Sequence, residues 1–182
     1  AGGYNTEASN PAQAGAGYGP ELIESVEFGL KGRYMDNRLS INAAIFDNEH
    51  EDMQVAYFTA EQAAASVVLN NSAEQSGFEL EAVALLNDTT QFTLNYGNLD
   101  SKYTESVMAP DGFAPELFPY APETMIYASI EKDFGNYRVR LDHSRVGEHN
   151  AFPYSSLDPR SALTHVEERS ITDFRLMTSP MD

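Results

Sequence analysis

The densest run of potential ligand atoms is Asp47-Asn48-Glu49-His50-Glu51-Asp52. Oxygen donors in such density suit a divalent cation. The run lacks the spaced ligands and the tight central Gly of a calcium loop, and a solvated strand end accounts for it more simply. His50, His143, His149 and His165 keep no metal-ligand spacing and read as wall and loop positions. Glu79 and Glu81 mimic the paired carboxylates of a glycosidase, but two charges on one face of a strand explain them without catalysis. No Gly-rich loop follows a strand and opens a helix, as phosphate binding would need. Asp, His and Ser are present without a nucleophile elbow to organise them. Neither an enzyme, a metal centre nor a cofactor is expected.

The aromatics are better candidates. Tyr103, Phe113, Phe118, Tyr120, Phe152 and Tyr154 crowd two Pro- and Gly-rich stretches, Thr104 to Tyr120 and Gly147 to Val166. Rigid rings recognise ligands by packing and by hydroxyl hydrogen bonds. Packing of the loops on themselves is the equal alternative. Tyr103, Phe118, Tyr120, Phe152 and Tyr154 are the expected ligand contacts.

The elements that must position these rings have a period of two. Val26, Phe28, Leu30 and Tyr34 oppose Ser25, Glu27, Lys31 and Arg33; Leu39, Ile41, Ala43 and Ile45 oppose Ser40 and Asn42, with Phe46 out of pattern on the polar face. Further alternation runs through Phe78–Ala84, Phe92–Tyr96, Ile126–Ile130, Tyr137–Leu141 and Thr172–Leu176. Such separation marks strands, since a helix would scatter the two sets around its circumference.

Turn signals at Met35–Arg38, Leu86–Thr89 and Asp133–Asn136 are short, while the connections at Phe58 to Ser66, Thr104 to Tyr120 and Gly147 to Val166 are long. Register follows from matching polar with polar. The first hairpin sets Tyr34 opposite Leu39, Leu30 opposite Ala43 and Phe28 opposite Ile45. The second sets Ala84 opposite Phe92 and Leu80 opposite Tyr96. The third is expected to set Glu131 opposite Arg138, Ile130 opposite Val139, Ser129 opposite Arg140 and Ala128 opposite Leu141.

Composition narrows the class. The 182 residues include 28 acidic and 11 basic side chains, a formal net charge of -17, which disfavours nucleic acid as a partner. There is no Cys, so no disulfide-stapled domain. No apolar run approaches the ~20 residues of a membrane helix, which strands do not need.

Alternation alone fits a soluble β-sandwich as well as a membrane barrel. Two features favour the barrel. Short turns at one end and long loops at the other describe an outer-membrane barrel. Tyr34, Phe92 and Tyr137 sit on the apolar face beside short turns, where an aromatic girdle would lie. The expected fold is therefore all-β, an antiparallel up-and-down meander forming a partial transmembrane β-barrel of about seven strands. Val26, Phe28, Leu30, Ile41, Ile45, Leu80, Leu94, Ile130, Val139 and Leu141 are expected to face lipid. Glu27, Lys31, Glu79, Glu81, Asn95, Glu131, Arg138 and Arg140 are expected to face the lumen.

Ordered motifs resemble one known family. Pro20-Glu21-Leu22-Ile23-Glu24-Ser25-Val26-Glu27-Phe28-Gly29-Leu30-Lys31 is similar to the "PE…(S/Y)xExGxK" strand of TonB-dependent outer-membrane receptors. Asp36-Asn37-Arg38-Leu39-Ser40-Ile41-Asn42-Ala43-Ala44-Ile45-Phe46 resembles their "DxRLxxNxAxF" strand, and Glu51-Asp52-Met53-Gln54-Val55 the continuation. Asn70 to Glu81 resembles "NxxxAxxxGxELE", Tyr96 to Tyr103 the "YxxxDAKY" strand end, Ala121-Pro122-Glu123 the "AP(E/K)" strand opening, and Gly2-Gly3-Tyr4-Asn5 a "GGFN" loop element. The absence of Trp departs from the usual girdle.

The resemblance implies a stretch of barrel, about seven strands of ~22, with plug domain, TonB box and closing strands outside residues 1–182. It implies the bacterial outer membrane, lipid around the wall, the TonB complex as a partner acting through the plug, and uptake of a small ligand such as a ferric siderophore. Haem, cobalamin and carbohydrate are other cargoes of the family. An open porin-type barrel is the rival within the membrane class.

Overall fold

The computed structural model describes residues 1–6, 11–15, 17–59, 62–108, 114–154 and 158–178. Phe113, one of the loop aromatics, lies outside them. In chain order the elements are β1 (Gly3–Tyr4), α1 (Pro11–Gly15), β2 (Gly17–Tyr18), β3 (Leu22–Tyr34), β4 (Leu39–Thr59), β5 (Gln62–Asn87), β6 (Thr90–Glu105), β7 (Thr124–Asp133), β8 (Tyr137–Val146), β9 (His149–Asn150), α2 (Ser161–Thr164), β10 (His165–Val166) and β11 (Arg169–Thr178). One seven-stranded sheet runs β11-β8-β7-β6-β5-β4-β3, and each pair in it is antiparallel. This is the expected meander, since strands consecutive in that sheet's part of the chain are neighbours in space.

Among the described residues, no second layer packs on the apolar face. Among the described residues only Val55, Val67, Ala73 and Tyr154 are buried apolar side chains, while Phe28 is 70% exposed and Phe174 67%. A water-soluble sandwich would bury that face against a second sheet. No strand faces it here among the described residues.

The turn chemistry fixes the first two hairpins as expected. Arg38 N–H donates to the Met35 carbonyl at 3.0 Å, and the central Asp36 and Asn37 have φ of 54° and 65°. Two left-handed central residues make a type I′ turn, whose twist suits a hairpin. It pairs Tyr34 with Leu39 and Phe28 with Ile45. The next hairpin pairs Ala84 with Phe92 and Leu80 with Tyr96.

The third hairpin differs from its expectation by two residues. Glu131 pairs with Arg140, Ile130 with Leu141, Ser129 with Asp142 and Ala128 with His143. The reason is the turn. Phe134 N–H donates to the Tyr137 carbonyl at 2.9 Å, so the loop is only Gly135-Asn136, with Gly135 at φ 86°. A glycine at the first central position suits a type II′ turn, tighter than the four-residue turn expected. A shift of two leaves every side chain on its own face, so polarity matching alone could not detect it.

The expected loop from Phe58 to Ser66 is also corrected. Phe58 pairs with Ser66 and Thr59 with Gln62, so β4 and β5 run on as a hairpin of 21 and 26 residues. That is about twice the ~9–11 residues a strand needs to cross a membrane. A bulge between His50 and Met53, with Asp52 at φ 55°, puts Glu51 and Asp52 opposite Ser72 alone. The extra residue reverses the parity of β4 above it.

Phe46 breaks the alternation for a reason visible only here. It pairs directly with Gly77 and its ring covers that position: a Cβ on Gly77 would lie 2.5 Å from Phe46 Cζ and 2.5 Å from the Asn98 carbonyl oxygen. An aromatic laid over a strand glycine fills the space its missing side chain leaves. Gly77→Ala is expected to lower stability in lipid vesicles by about 1–3 kcal/mol, the range for overpacking. Gly77→Ala with Phe46→Ala should recover only part, because the backbone oxygen remains. Full recovery in urea melts of that double variant would assign the whole clash to the ring.

Candidate functional site

Two groups of side chains gather on this sheet, one on its polar face and one beyond its loop end. Residues directly opposite in an antiparallel ladder share a face. The register puts Val26, Phe28, Leu30, Ile41, Ile45, Leu80, Leu94, Ile130, Val139 and Leu141 on one face. It puts Glu27, Lys31, Glu79, Glu81, Asn95, Glu131, Arg138 and Arg140 on the other.

On that polar face β7, β8 and β11 hold a charge network. Asp142 is 4% exposed; its Oδ1 accepts from Tyr127 Oη at 2.5 Å and from Arg140 Nε at 2.8 Å. Arg140 also donates to Tyr127 Oη, and Arg175 Nε lies 3.6 Å from Asp142 Oδ2. Glu131 lies between Arg138 at 3.4 Å and Arg140 at 3.7 Å, and Arg138 reaches Asp133 at 3.2 Å. A buried carboxylate is tolerated when paired and hydrogen-bonded; here Arg140 and Tyr127 hydrogen-bond Oδ1, while Oδ2 has the Arg175 ion pair alone. Tyr127 and Arg175 were missed as partners from sequence, although their parity places them on the polar face.

At the loop end β7 and β8 stop at Thr124 and Val146 while β6 continues to Glu105. Pro122, two residues before Thr124, cannot donate to a ladder and marks where β7 begins. The two long loops fill the space and are tied to each other. Tyr120 N–H donates to the Asn150 carbonyl at 2.7 Å, Glu116 N–H to the Pro153 carbonyl at 3.2 Å, and Pro119 bridges Asn150. Both are also tied to β5. Val107 N–H donates to Oδ1 of the buried Asn71 at 2.8 Å, and Tyr154 packs on Val67 with Leu69 and Phe152 alongside.

Between these loops and the ends of β6–β8 lies a cavity of about 520 Å³. Asp100, Phe118, Glu123, Arg145, Glu148, His149, His165 and Glu168 are among its lining. The volume falls within the ~300–1,000 Å³ of small-molecule sites. No group of three or more His, Asp or Glu among the described residues is arranged to hold a metal ion.

The candidate rings divide among three places. Phe118 lines the cavity, and Tyr103 stacks on it with centroids 4.7 Å apart. Tyr103 stands beyond the first ~11 residues of β6, the length that crosses a membrane. Its hydroxyl has no hydrogen-bond partner, and burial pushes its pKa up to about 12. Tyr120, 72% exposed and at φ 54°, stands 6.5 Å from the His149 ring at the rim. Phe152 and Tyr154 stack on each other at 5.8 Å away from the cavity, with the Arg160 guanidinium 4.3 Å over Tyr154. The acidic cavity wall itself was not read from sequence, because it comes from strand ends and loops far apart in the chain.

Arg160 is held in turn by Asp158. The Arg160 side chain keeps that carboxyl below its ordinary value of 3.8, and the Arg160 backbone N–H adds to the effect. A lowered folded value means the pair stabilises the loop above the ordinary value. That contribution is lost as pH falls through the folded value, below 3.8. Protease nicking of the 147–168 loop is expected to stay constant from about pH 7 to 5 and to rise below about pH 4. Asp158→Asn should lessen that pH dependence, leaving the part carried by the Arg145–Glu168 pair.

An open antiparallel meander with an unburied apolar face, short turns at one end and packed long loops at the other defines the wall of a membrane barrel. The family described as "TonB dependent receptor-like, beta-barrel" matches residues 1–165, and the chain belongs to that family of the bacterial outer membrane. Similar solved structures include the copper transporter OprC, at 15% identity and a TM-score of 0.67 over 90% of this chain and 24% of that one. The ferric-catecholate import receptor Fiu from E. coli K12 gives 17% and 0.65 over 87% and 21%. The ferric yersiniabactin uptake receptor FyuA from Yersinia pestis gives 20% and 0.62 over 88% and 23%. At these identities the likeness is one of fold. The chain spans about a quarter or less of the length of each. No curated protein matches it. The family and these neighbours are receptors and transporters rather than enzymes.

Proposed function

We propose that this chain supplies wall and extracellular loops to a receptor that captures a ferric siderophore and imports it with energy delivered by TonB. The observation that carries the reading is the joined pair of loops around the cavity, on a chain of the TonB-dependent receptor family. Phe118 and Tyr103 contact the ligand, Tyr120 stands at the entrance, and Phe152 and Tyr154 hold the loop pair to β5. The apolar set from Val26 to Leu141 meets outer-membrane lipid. The charged set from Glu27 to Arg140 lines the lumen, where a plug domain couples the ligand to the TonB complex.

The likeness to receptors for ferric catecholate and ferric yersiniabactin supports an iron cargo. The likeness to a copper transporter favours copper as the second reading. The test uses cells in which the receptor carrying this chain is the sole route for a ferric siderophore. Growth under iron limitation is expected with TonB and lost without it. Growth that persists without TonB removes the reading, and TonB-dependent copper uptake without iron uptake replaces the cargo. Singly replacing Phe118 or Tyr103 with Ala should weaken binding by about 2 kcal/mol if either ring is a hot spot, at unchanged surface expression.

A further inference from the structure

The face that the proposed function gives to lipid carries a lysine at the short-turn end of the sheet. Taking that face as lipid-exposed, which rests on that reading, we propose that Lys132 and the aromatic pair beside it form a site for an anionic phospholipid. The lipid belongs to the leaflet on the side of the short turns, and its phosphate meets the lysine.

Lys31, Arg33, Lys132 and Arg169 stand outside the ion pairs of the described residues. The register puts three of them on the polar face, Lys31 opposite Asn42, Arg33 opposite Ser40 and Arg169 opposite Val146. Lys132 pairs with Thr90 and Val139, two residues on from Ile130, and so stands on the apolar face. The other strand cations of that face, Lys102 and Arg145 near the long loops, are already held by Glu74 and Glu168.

The surroundings fix the depth. One step toward the long loops, the row from Tyr34 through Ile130 to Phe174 is apolar on every strand of the sheet. One step toward the short turns, the exposed Phe134 and Tyr137 stack with centroids 4.8 Å apart. Lys132 Nζ lies 5.5 Å from the Phe134 centroid. Aromatics gather where hydrocarbon gives way to headgroups, so the ammonium stands at that boundary. A cation there costs free energy unless an anion meets it.

The protein meets only part of that need. Lys132 Nζ donates to Thr90 Oγ1 at 3.4 Å. An ammonium has three donors, so two remain for oxygen atoms from outside the chain. A phospholipid brings phosphate oxygens to this depth, and its acyl chains can run on past Ile130 and Leu141. An anionic headgroup fits better than a zwitterionic one. The zwitterion brings its own cation, and on this face the strands hold no Asp or Glu on the short-turn side of the apolar row to receive it.

The test uses the receptor carrying this chain, reconstituted in vesicles. The chain has no Cys, so Leu176→Cys takes a bimane fluorophore once any cysteine elsewhere in the receptor is replaced. Leu176 is exposed and pairs with Val139, which places it two strands from Lys132, roughly 10 Å away. Brominated acyl chains quench the fluorophore on contact, carried either by phosphatidylglycerol (anionic) or by phosphatidylcholine (zwitterionic). Half-maximal quenching is expected at about a fifth of the lipid fraction with phosphatidylglycerol, the preference one lysine gives at an anionic lipid surface. Lys132→Gln should bring the two lipids level, and Lys132→Arg should keep most of the preference. Lys31→Gln, which removes the same charge from the polar face, should leave it unchanged. Equal quenching by both lipids, or a preference that Lys132→Gln leaves intact, overturns the proposal. A preference lost equally with Lys31→Gln belongs to net charge and overturns the site. Quenching by neither lipid removes the lipid-facing reading itself, and the site with it.

Discussion

Leu94→Arg is expected to destabilise the protein in lipid by about 2–4 kcal/mol, while Asn95→Arg, one residue away, should change it by less than about 0.5. The two residues are neighbours in β6 on opposite faces. Leu94 pairs with Ala82 on one side and Ala128 on the other, in the middle of the apolar face. A guanidinium there must either leave water or distort the bilayer around it. Asn95 pairs with Glu81 and Tyr127 on the polar face, where an arginine meets a carboxylate and a phenol. Urea unfolding of the receptor in vesicles measures both. Similar losses for the pair would mean that the two faces do not divide lipid from water.

Tyr154→Ala is expected to release the joined loops from β5 and to lower the stability of that local unit by about 3 kcal/mol or more, the range for truncating a buried aromatic. Tyr154 is 5% exposed, packs on Val67 and carries the Arg160 guanidinium on its outer face. Its loss opens a hole where, among the described residues, apolar side chains of the loop and of β5 close on each other. Tyr154→Phe keeps the ring and should retain most of the stability. Hydrogen exchange of the loop amides distinguishes the two. Protection at Tyr120 and Ala151, whose N–H groups donate to the Asn150 and Thr164 carbonyls, should fall in the Ala variant only. Strand β3, which pairs with residues 39–51 of β4 and so lies away from the Tyr57–Val67 pair, should keep its own. Unchanged protection throughout would show that Asn71 and the inter-loop bonds hold the unit without Tyr154.

The sequence by itself determined the strands, their faces and the family. Alternation such as that of Val26, Phe28 and Leu30 against Glu27 and Lys31 survives any register shift of two, so it fixes which side a residue is on and nothing finer. Where a turn carries its own conformational signal, as Asp36-Asn37 does, the register followed too. At Gly135-Asn136 two registers satisfied the same polarity, and the hydrogen bond from Phe134 to Tyr137 chose between them. The pairing of Phe58 with Ser66 was likewise decided by β4 and β5 supporting each other through a long ladder. The role of Phe46 became clear only with Gly77 opposite it, 31 positions along the chain by their numbers. For the site the division is sharper. Composition marked the loop aromatics but could not say which would stack on Phe118 and which on Val67. The cavity joins Asp100 of β6 to His165 and Glu168 before β11, and no local pattern relates residues so far apart. Local preferences act over a few neighbours along the chain, whereas a cavity exists only once distant segments have packed, and that step belongs to the tertiary structure.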